Sequence, residues 1–237
     1  MRLKLSLLSK NGRVKQVNKH AVQGFIYNML KGSPYEKRHD EPKFKFFTFS
    51  DFFVDSKGRL SLLISSPDKE FINTLHESIR ARDWIHIGQY EFEVLDVKKF
   101  SLKLRNRFQT GSPIVLYKDK DRGEYFKLHY HRDLGFFLWR LKENAIKKYE
   151  AFYGEPFVFE GPIFDRLIPK VRRNGKLDVY VKVVKNGTSF VVIGSNWELL
   201  EKERIKAEER KFYRFIMDAG LGEKNSLGFG FINPIRR

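Results

Sequence analysis

Leu3, Leu5 and Leu7 alternate with polar residues, the period of a strand with one buried face. After an Asn11-Gly12 turn the period changes: Val22, Phe25, Ile26, Met29 and Leu30 form one stripe at helical spacing, starting near Asn18 and stopped by Gly32, Ser33 and Pro34. A basic loop, Tyr35 to Lys45, leads into an aromatic strand from Phe46 to Phe53, and Ser56-Lys57-Gly58 turns the chain toward a strand from Leu60 to Ile64. Ser66-Pro67-Asp68 opens a second helix with Phe71, Ile72, Leu75 and Ile79 on its apolar side, and strand patterns follow from Trp84 to Val97. The order strand, helix, strand, strand, helix, strand is the ferredoxin-like arrangement.

The remainder repeats that order loosely. Strands are expected around Phe100 to Leu104 and Ile114 to Tyr117, then a long helix from about Asp133 to Tyr153 closed by Gly154 and Pro156. Asn174-Gly175 and Asn186-Gly187 are read as hairpin turns connecting Leu177 to Val184 and Phe190 to Ile193. A charged helix over about Leu199 to Ala219 delivers the chain into a glycine-rich segment, and Phe229 to Ile232 reads as a last strand. The expectation is an α+β chain of two tandem ferredoxin-like domains with antiparallel sheets, residues 1–105 and 106–237.

Composition narrows the partner. Lysine and arginine total 46 against 29 acidic residues, a formal charge of +17 over 237 residues. That imbalance exceeds what solubility needs and fits a polyanion. Aromatic residues are 15% of the chain, enough to fill a core and leave rings for stacking on bases. The absence of cysteine excludes disulfide scaffolds, thiolate zinc sites and cysteine nucleophiles. The first residues lack the apolar block of a signal peptide, and no apolar run approaches the ~18 residues of a membrane span. A cytoplasmic protein with no membrane partner is expected.

The segment from Gly220 to Gly230, GLGEKNSLGFG, holds four of the chain's 17 glycines. Such density permits sharp bends and close approach of another backbone or a phosphate, and Lys224 and Ser226 offer donors there. With the following Phe231 it resembles the signature of the RAMP superfamily of CRISPR-associated proteins, and most of all the sixth Cas family, endoribonucleases that cut CRISPR precursor RNA within its repeats. Gln23-Gly24-Phe25-Ile26-Tyr27-Asn28, Lys45-Phe46-Phe47-Thr48-Phe49-Ser50 and Thr110-Gly111-Ser112-Pro113-Ile114-Val115 agree with it in the expected order. The resemblance implies two RNA-recognition-motif-type domains side by side, with RNA on a basic surface and in the cleft between them. It also implies cleavage without metal or other cofactor, leaving a 2′,3′-cyclic phosphate and a 5′-hydroxyl. The family's histidine, tyrosine and lysine positions fall at His39, Tyr27 and Lys45.

These residue types suit the chemistry. RNA carries its own nucleophile, so an enzyme must align the 2′-hydroxyl, move two protons and stabilise charge on phosphorus. An imidazole with a pKa of about 6.5 serves as acid or base near neutrality. On the first helix Tyr27 lies off the apolar stripe, and His20, seven residues earlier, falls on nearly the same side as a reserve histidine. His129 and His131, read at alternate strand positions, lack a visible third metal ligand, and Asp133 reads better as a helix cap, so no metal site is expected. Arg105, Arg107, Lys170, Arg172, Arg173 and Lys176 form basic clusters that, with Lys224 and Ser226, are candidates for RNA contact. The expected partner is CRISPR repeat RNA; association with other Cas proteins and homodimerisation stay open. The rival reading is a noncatalytic RNA-binding RAMP subunit of an interference complex, which would not need the Tyr27, His39 and Lys45 set.

Overall fold

A computed structural model describes residues 1–10, 12, 14, 17–39 and 43–236, and the side chains of Arg38 and His39 fall outside that description. Asn11 of the expected Asn11-Gly12 turn also lies outside the described residues. Strand β1 (Arg2–Ser9) buries Leu3, Leu5 and Leu7 completely. Helix α1 (Lys19–Met29) starts at Asn18, whose side chain accepts a hydrogen bond from the His20 amide. Strands β2 (Thr48–Phe49) and β3 (Phe53–Val54) both lie against β4 (Leu60–Ser65). Helix α2 (Lys69–Arg80) is capped by Asp68, which accepts from the amides of Glu70 and Phe71. A hairpin of β5 (Trp84–Ile87) and β6 (Tyr90–Phe100) completes the first half.

The sheet order is β2-β4-β1-β6-β5, every pair antiparallel. With β2 and β3 taken as one interrupted strand, the four ferredoxin positions run 4-1-3-2. The interruption corrects the expected continuous strand over 46–53. Phe46 takes a left-handed φ of 52°, and the Asp51 amide donates to the carbonyl of Gly111 in the second half, which draws the middle of the segment off β4.

The second half has the same order. Strand β7 (Arg107–Thr110) is followed by a small hairpin, β8 (Tyr117–Asp119) and β9 (Glu124–Tyr125), the short α3 (Leu128–His131) and the long α4 (Leu134–Tyr153). Asp133 caps α4 by accepting from the Phe136 amide, and Gly154 closes it at φ 74°. Then come β10 (Arg166–Pro169), the hairpin β11 (Asp178–Lys185) and β12 (Thr188–Ser195), β13 (Trp197–Glu201), α5 (Arg210–Ala219) and β14 (Ile232–Pro234). The sheet β10-β13-β7-β14, again antiparallel, is a second 4-1-3-2 unit.

Five local expectations need correction. Residues 101–106 form no strand, and Ile114 makes only an isolated bridge to Ser195. Asn186-Gly187 is the hairpin turn expected, both residues at positive φ, whereas Asn174-Gly175 makes a turn ahead of β11 that joins no paired strands. The expected helix over 199–219 begins only at Arg210. Trp197, Leu199 and Leu200 are buried as β13, and Glu201 takes a 2.5 Å contact from Arg107 on the neighbouring strand, so sheet burial overrides helical propensity there. His129 and His131 lie on α3 rather than on a strand.

Each half has its own apolar core. Arg2 bridges them: its guanidinium is fully buried, donates to the carbonyls of Met217 and Ile232 at 2.8 and 2.7 Å, and lies 4.7 Å from the Phe231 ring.

Candidate active site

The glycine-rich segment leaves α5 at Gly220 and folds between the two halves. Gly228 and Gly230 both sit at positive φ, 76° and 70°. A Cβ on Gly228 would stand 2.0 Å from the Phe49 ring, and one on Gly230 would stand 1.8 Å from the Leu221 carbonyl oxygen. These two glycines are therefore demanded by packing. The second half holds the loop through the Gly230 amide to Pro113 O (2.7 Å) and through Asn225 Nδ2 to the carbonyls of Leu221 and Phe229 (3.0 Å each). From the first half, Thr48 Oγ1 donates to Phe229 O (2.8 Å), Lys19 Nζ to Gly228 O (2.8 Å), and Gln23 Nε2 to Ser226 Oγ (3.1 Å).

Beside the loop is a cleft of about 510 Å³. Lys43, Lys45, Lys120, Arg140, Lys147, Lys148 and Lys224 line it together with Asn144, Asn225 and Ser226. The acidic groups at its edge are engaged: Glu223 accepts from Arg140 at 3.0 Å, and Glu143 accepts from Arg140 at 2.6 Å and Lys147 at 2.7 Å. Burial holds the Glu223 carboxyl above its ordinary range. Lys224 stands over an aromatic seat, 5.5 Å from the Tyr117 ring and 5.9 Å from those of Tyr125 and Phe190. Tyr117 and Tyr125 stack on each other at 4.9 Å. The result is a wall of cations that can receive phosphate and stabilise charge developing on it.

Lys148 belongs to the same wall from beneath. It is buried on α4, and its ammonium donates to Gly220 O (2.6 Å), Gly222 O (3.0 Å) and Asn225 Oδ1 (2.8 Å). Burial lowers its pKa to about 7, with Glu223 opposing the shift.

Of the residues singled out from sequence, the structure brings Lys45, Lys224 and Ser226 together at the cleft. Tyr27 packs edge-on against Phe47, ring centroids 5.8 Å apart, one turn along α1 from Gln23. It continues the row Lys19, Gln23, Tyr27 whose first two members touch the glycine loop. His20 lies two turns before Tyr27, in the first turn of α1. His39 ends a 3₁₀ turn, Glu36–His39, that precedes the segment carrying Lys45; its side chain is outside the described atoms.

The other basic candidates lie elsewhere. Arg105 and Arg107 line a separate groove with Arg204 and Arg210, and Arg107 is paired with Glu201. Lys170, Arg172, Arg173 and Lys176 are exposed in and before the 172–176 turn. Lys43, Lys120, Arg140, Lys147 and Lys148 were missed from sequence. For Lys148 a signal existed: with Asn144 it is a polar residue on the buried face of α4, four positions apart among Phe137, Leu141, Ala145 and Tyr149.

Two ferredoxin-like units closed by a glycine loop over a basic cleft define the RAMP fold. Residues 95–234 match the family described as CRISPR associated protein Cas6, C-terminal. The chain is 56% identical to the CRISPR-associated endoribonuclease Cas6 2 of Methanocaldococcus jannaschii over 242 aligned residues, covering all of both chains. A solved structure described as CRISPR associated protein Cas6 superposes with a TM-score of 0.68 at 26% identity, covering 100% of this chain and 99% of the other. Another, described as an RAMP protein binding different RNA substrates, gives a TM-score of 0.73 at 24% identity with both chains fully covered, and bears on the fold alone. The chain belongs to the Cas6 family.

Proposed function

We propose that this Cas6-family endoribonuclease processes CRISPR precursor RNA in the cytoplasm, cutting within each repeat without a metal ion. In the reaction, a base takes the proton of the 2′-hydroxyl, the resulting oxygen attacks the adjacent phosphorus, and the 5′-oxygen leaves with a proton from an acid. The products are a 2′,3′-cyclic phosphate and a 5′-hydroxyl. RNA supplies the nucleophile, so the protein's task is alignment, two proton transfers and charge stabilisation. His39 is assigned the principal acid–base role, Tyr27 assists on the helix that touches the loop, and Lys45 stabilises the phosphorane. Lys224 and Ser226 grip phosphate, and the exposed basic groups Arg105, Arg107, Lys170, Arg172, Arg173 and Lys176 extend the track. We assign residues 1–105 to one domain and 106–237 to the other, with RNA crossing both.

The observation that carries this reading is the meeting of Lys45, from the first half, with Lys224 and Ser226 of the glycine loop on one cation-lined cleft. The test is incubation with labelled repeat RNA in EDTA, using wild type, His39→Ala, His20→Ala and an RNA with 2′-deoxy at the cut. Cleavage of the all-ribose RNA by wild type and His20→Ala, and by no other combination, supports the reading. A requirement for divalent metal, or cutting of the deoxy substrate, overturns the mechanism. Loss in His20→Ala but not His39→Ala moves the acid–base role to His20, and tight binding without cutting returns the protein to the noncatalytic class.

A further inference from the structure

The geometry points to Lys148 as a positioning residue that sets the glycine loop for RNA cleavage from below, without itself meeting the RNA. An ammonium has three N–H bonds, and all three have oxygen acceptors here: Gly220 O, Gly222 O and Asn225 Oδ1, at 2.6 to 3.0 Å. None is left to reach a phosphate.

The residue type is otherwise unexpected. The position lies on the buried face of α4, where leucine or methionine would pack without cost. Among the described residues no carboxylate lies within ion-pair distance of Lys148; Glu223, which acts on it from farther away, is paired with Arg140. A buried cation without a counter-ion is expensive. What it obtains in return is control of two turns of the loop: the carbonyls at 220 and 222, where the chain leaves α5, and the side chain of Asn225.

Asn225 then passes the constraint on. Its amide donates to the carbonyls of Leu221 and Phe229, so Lys148 and Asn225 together fix the start and the end of the loop. The residues flanking Asn225 are Lys224 and Ser226, whose side chains offer donors to the cleft that Asn225 also lines. Lys148 therefore governs where those donors stand relative to Lys45.

This inference rests on the reading that the cleft is where RNA is cut, so the experiment includes a variant for each. Single-turnover cleavage of repeat RNA at saturating protein is measured for wild type, Lys148→Met, Asn225→Ala and Lys45→Ala, with RNA affinity and urea unfolding measured on the same preparations. Lys148→Met is expected to bind RNA within a few-fold of wild type yet cleave about 10²-fold more slowly, the effect of a displacement near 1 Å. Asn225→Ala should move the same way, and the double variant should be little worse than either single one, as for residues acting through one contact. Cleavage within twofold of wild type in both single variants, or a loss confined to affinity, overturns the proposal. Lys45→Ala impaired while the other two are normal defeats the role of Lys148 alone; an unimpaired Lys45→Ala defeats the choice of cleft. If Lys148→Met does not unfold cooperatively, the cleavage rate of Asn225→Ala, altered at a half-exposed position, decides the outcome by the same thresholds.

Discussion

Lys19 and Gly228, 209 positions apart, are joined by a 2.8 Å hydrogen bond from the lysine ammonium to the glycine carbonyl. The same ammonium contacts Asp51 at 2.6 Å and lies 4.9 Å from the Phe229 ring. Burial lowers its pKa, and Asp51 offsets part of that shift. Lys19→Met would leave a buried carbonyl without its donor and should lower stability by about 1–3 kcal/mol, read as a reduced urea midpoint at unchanged slope.

Gly228 is constrained twice over. Gly228→Ala places a methyl group into the Phe49 ring at a backbone φ of 76°. The left-handed conformation costs about 1–2 kcal/mol and overpacking about 1–3 more. Gly175→Ala, at φ 74° with nothing within 4 Å of the added Cβ, should lose only the first of these. Equal losses in the two variants, measured by chemical denaturation, would contradict the packing argument.

The buried Lys148 makes stability depend on pH. Its folded pKa of about 7 lies below the ordinary 10.5, so between those values the unfolded chain binds more protons than the folded one. Its contribution to stability rises with pH across that window, is complete above it, and is lost as pH falls through about 7. Urea midpoints for wild type relative to Lys148→Met should therefore diverge upward from near neutrality toward alkaline pH. Glu223 acts with the opposite sign: its raised pKa gives stability that is lost as pH rises through the folded value, with the window opening at the ordinary 4.5.

Tyr27→Phe separates packing from chemistry. The ring keeps its edge-on contact with Phe47, so stability should change by less than about 1.5 kcal/mol. If the hydroxyl assists proton transfer, single-turnover cleavage should fall by about 10²-fold. An unchanged rate would remove Tyr27 from the reaction.

RNA binding should weaken with salt. Lys45→Ala and Lys120→Ala each delete one cation from the cleft and should reduce the slope of log affinity against log salt by about 0.7 on single-stranded RNA. A slope equal to wild type in both would place the phosphate path outside the cleft.

Much of this fold was legible because local chemistry and global packing agree. Asn18, Asp68 and Asp133 start their helices as caps, and Asn186-Gly187 turns its hairpin, because each demand is met within a few residues. Leu199 to Glu201 misled because its charged surroundings favour a helix, while partners about 90 residues earlier, Arg107 and Phe108, make it a strand. The glycine loop was visible as a pattern, and Lys45, Lys224 and Ser226 were found through it. Lys120, Arg140 and Lys147 were not, since a lysine that faces a cleft and one that faces solvent look alike until α4 is packed. Arg105 and Arg107 were named as RNA contacts for their charge alone, and the fold puts them on a groove separate from the loop cleft.

The loop's long-range contacts also order events during synthesis. Thr48 and Lys19 must wait for the carbonyls of Phe229 and Gly228, 181 and 209 residues later, before their bonds can close. The first sheet has all its strands by Phe100, whereas the core of the second half still needs α5, which runs directly into the loop. The cleft cannot close until residues 220–230 have been made, long after the first half that supplies Lys19, Lys45 and Thr48.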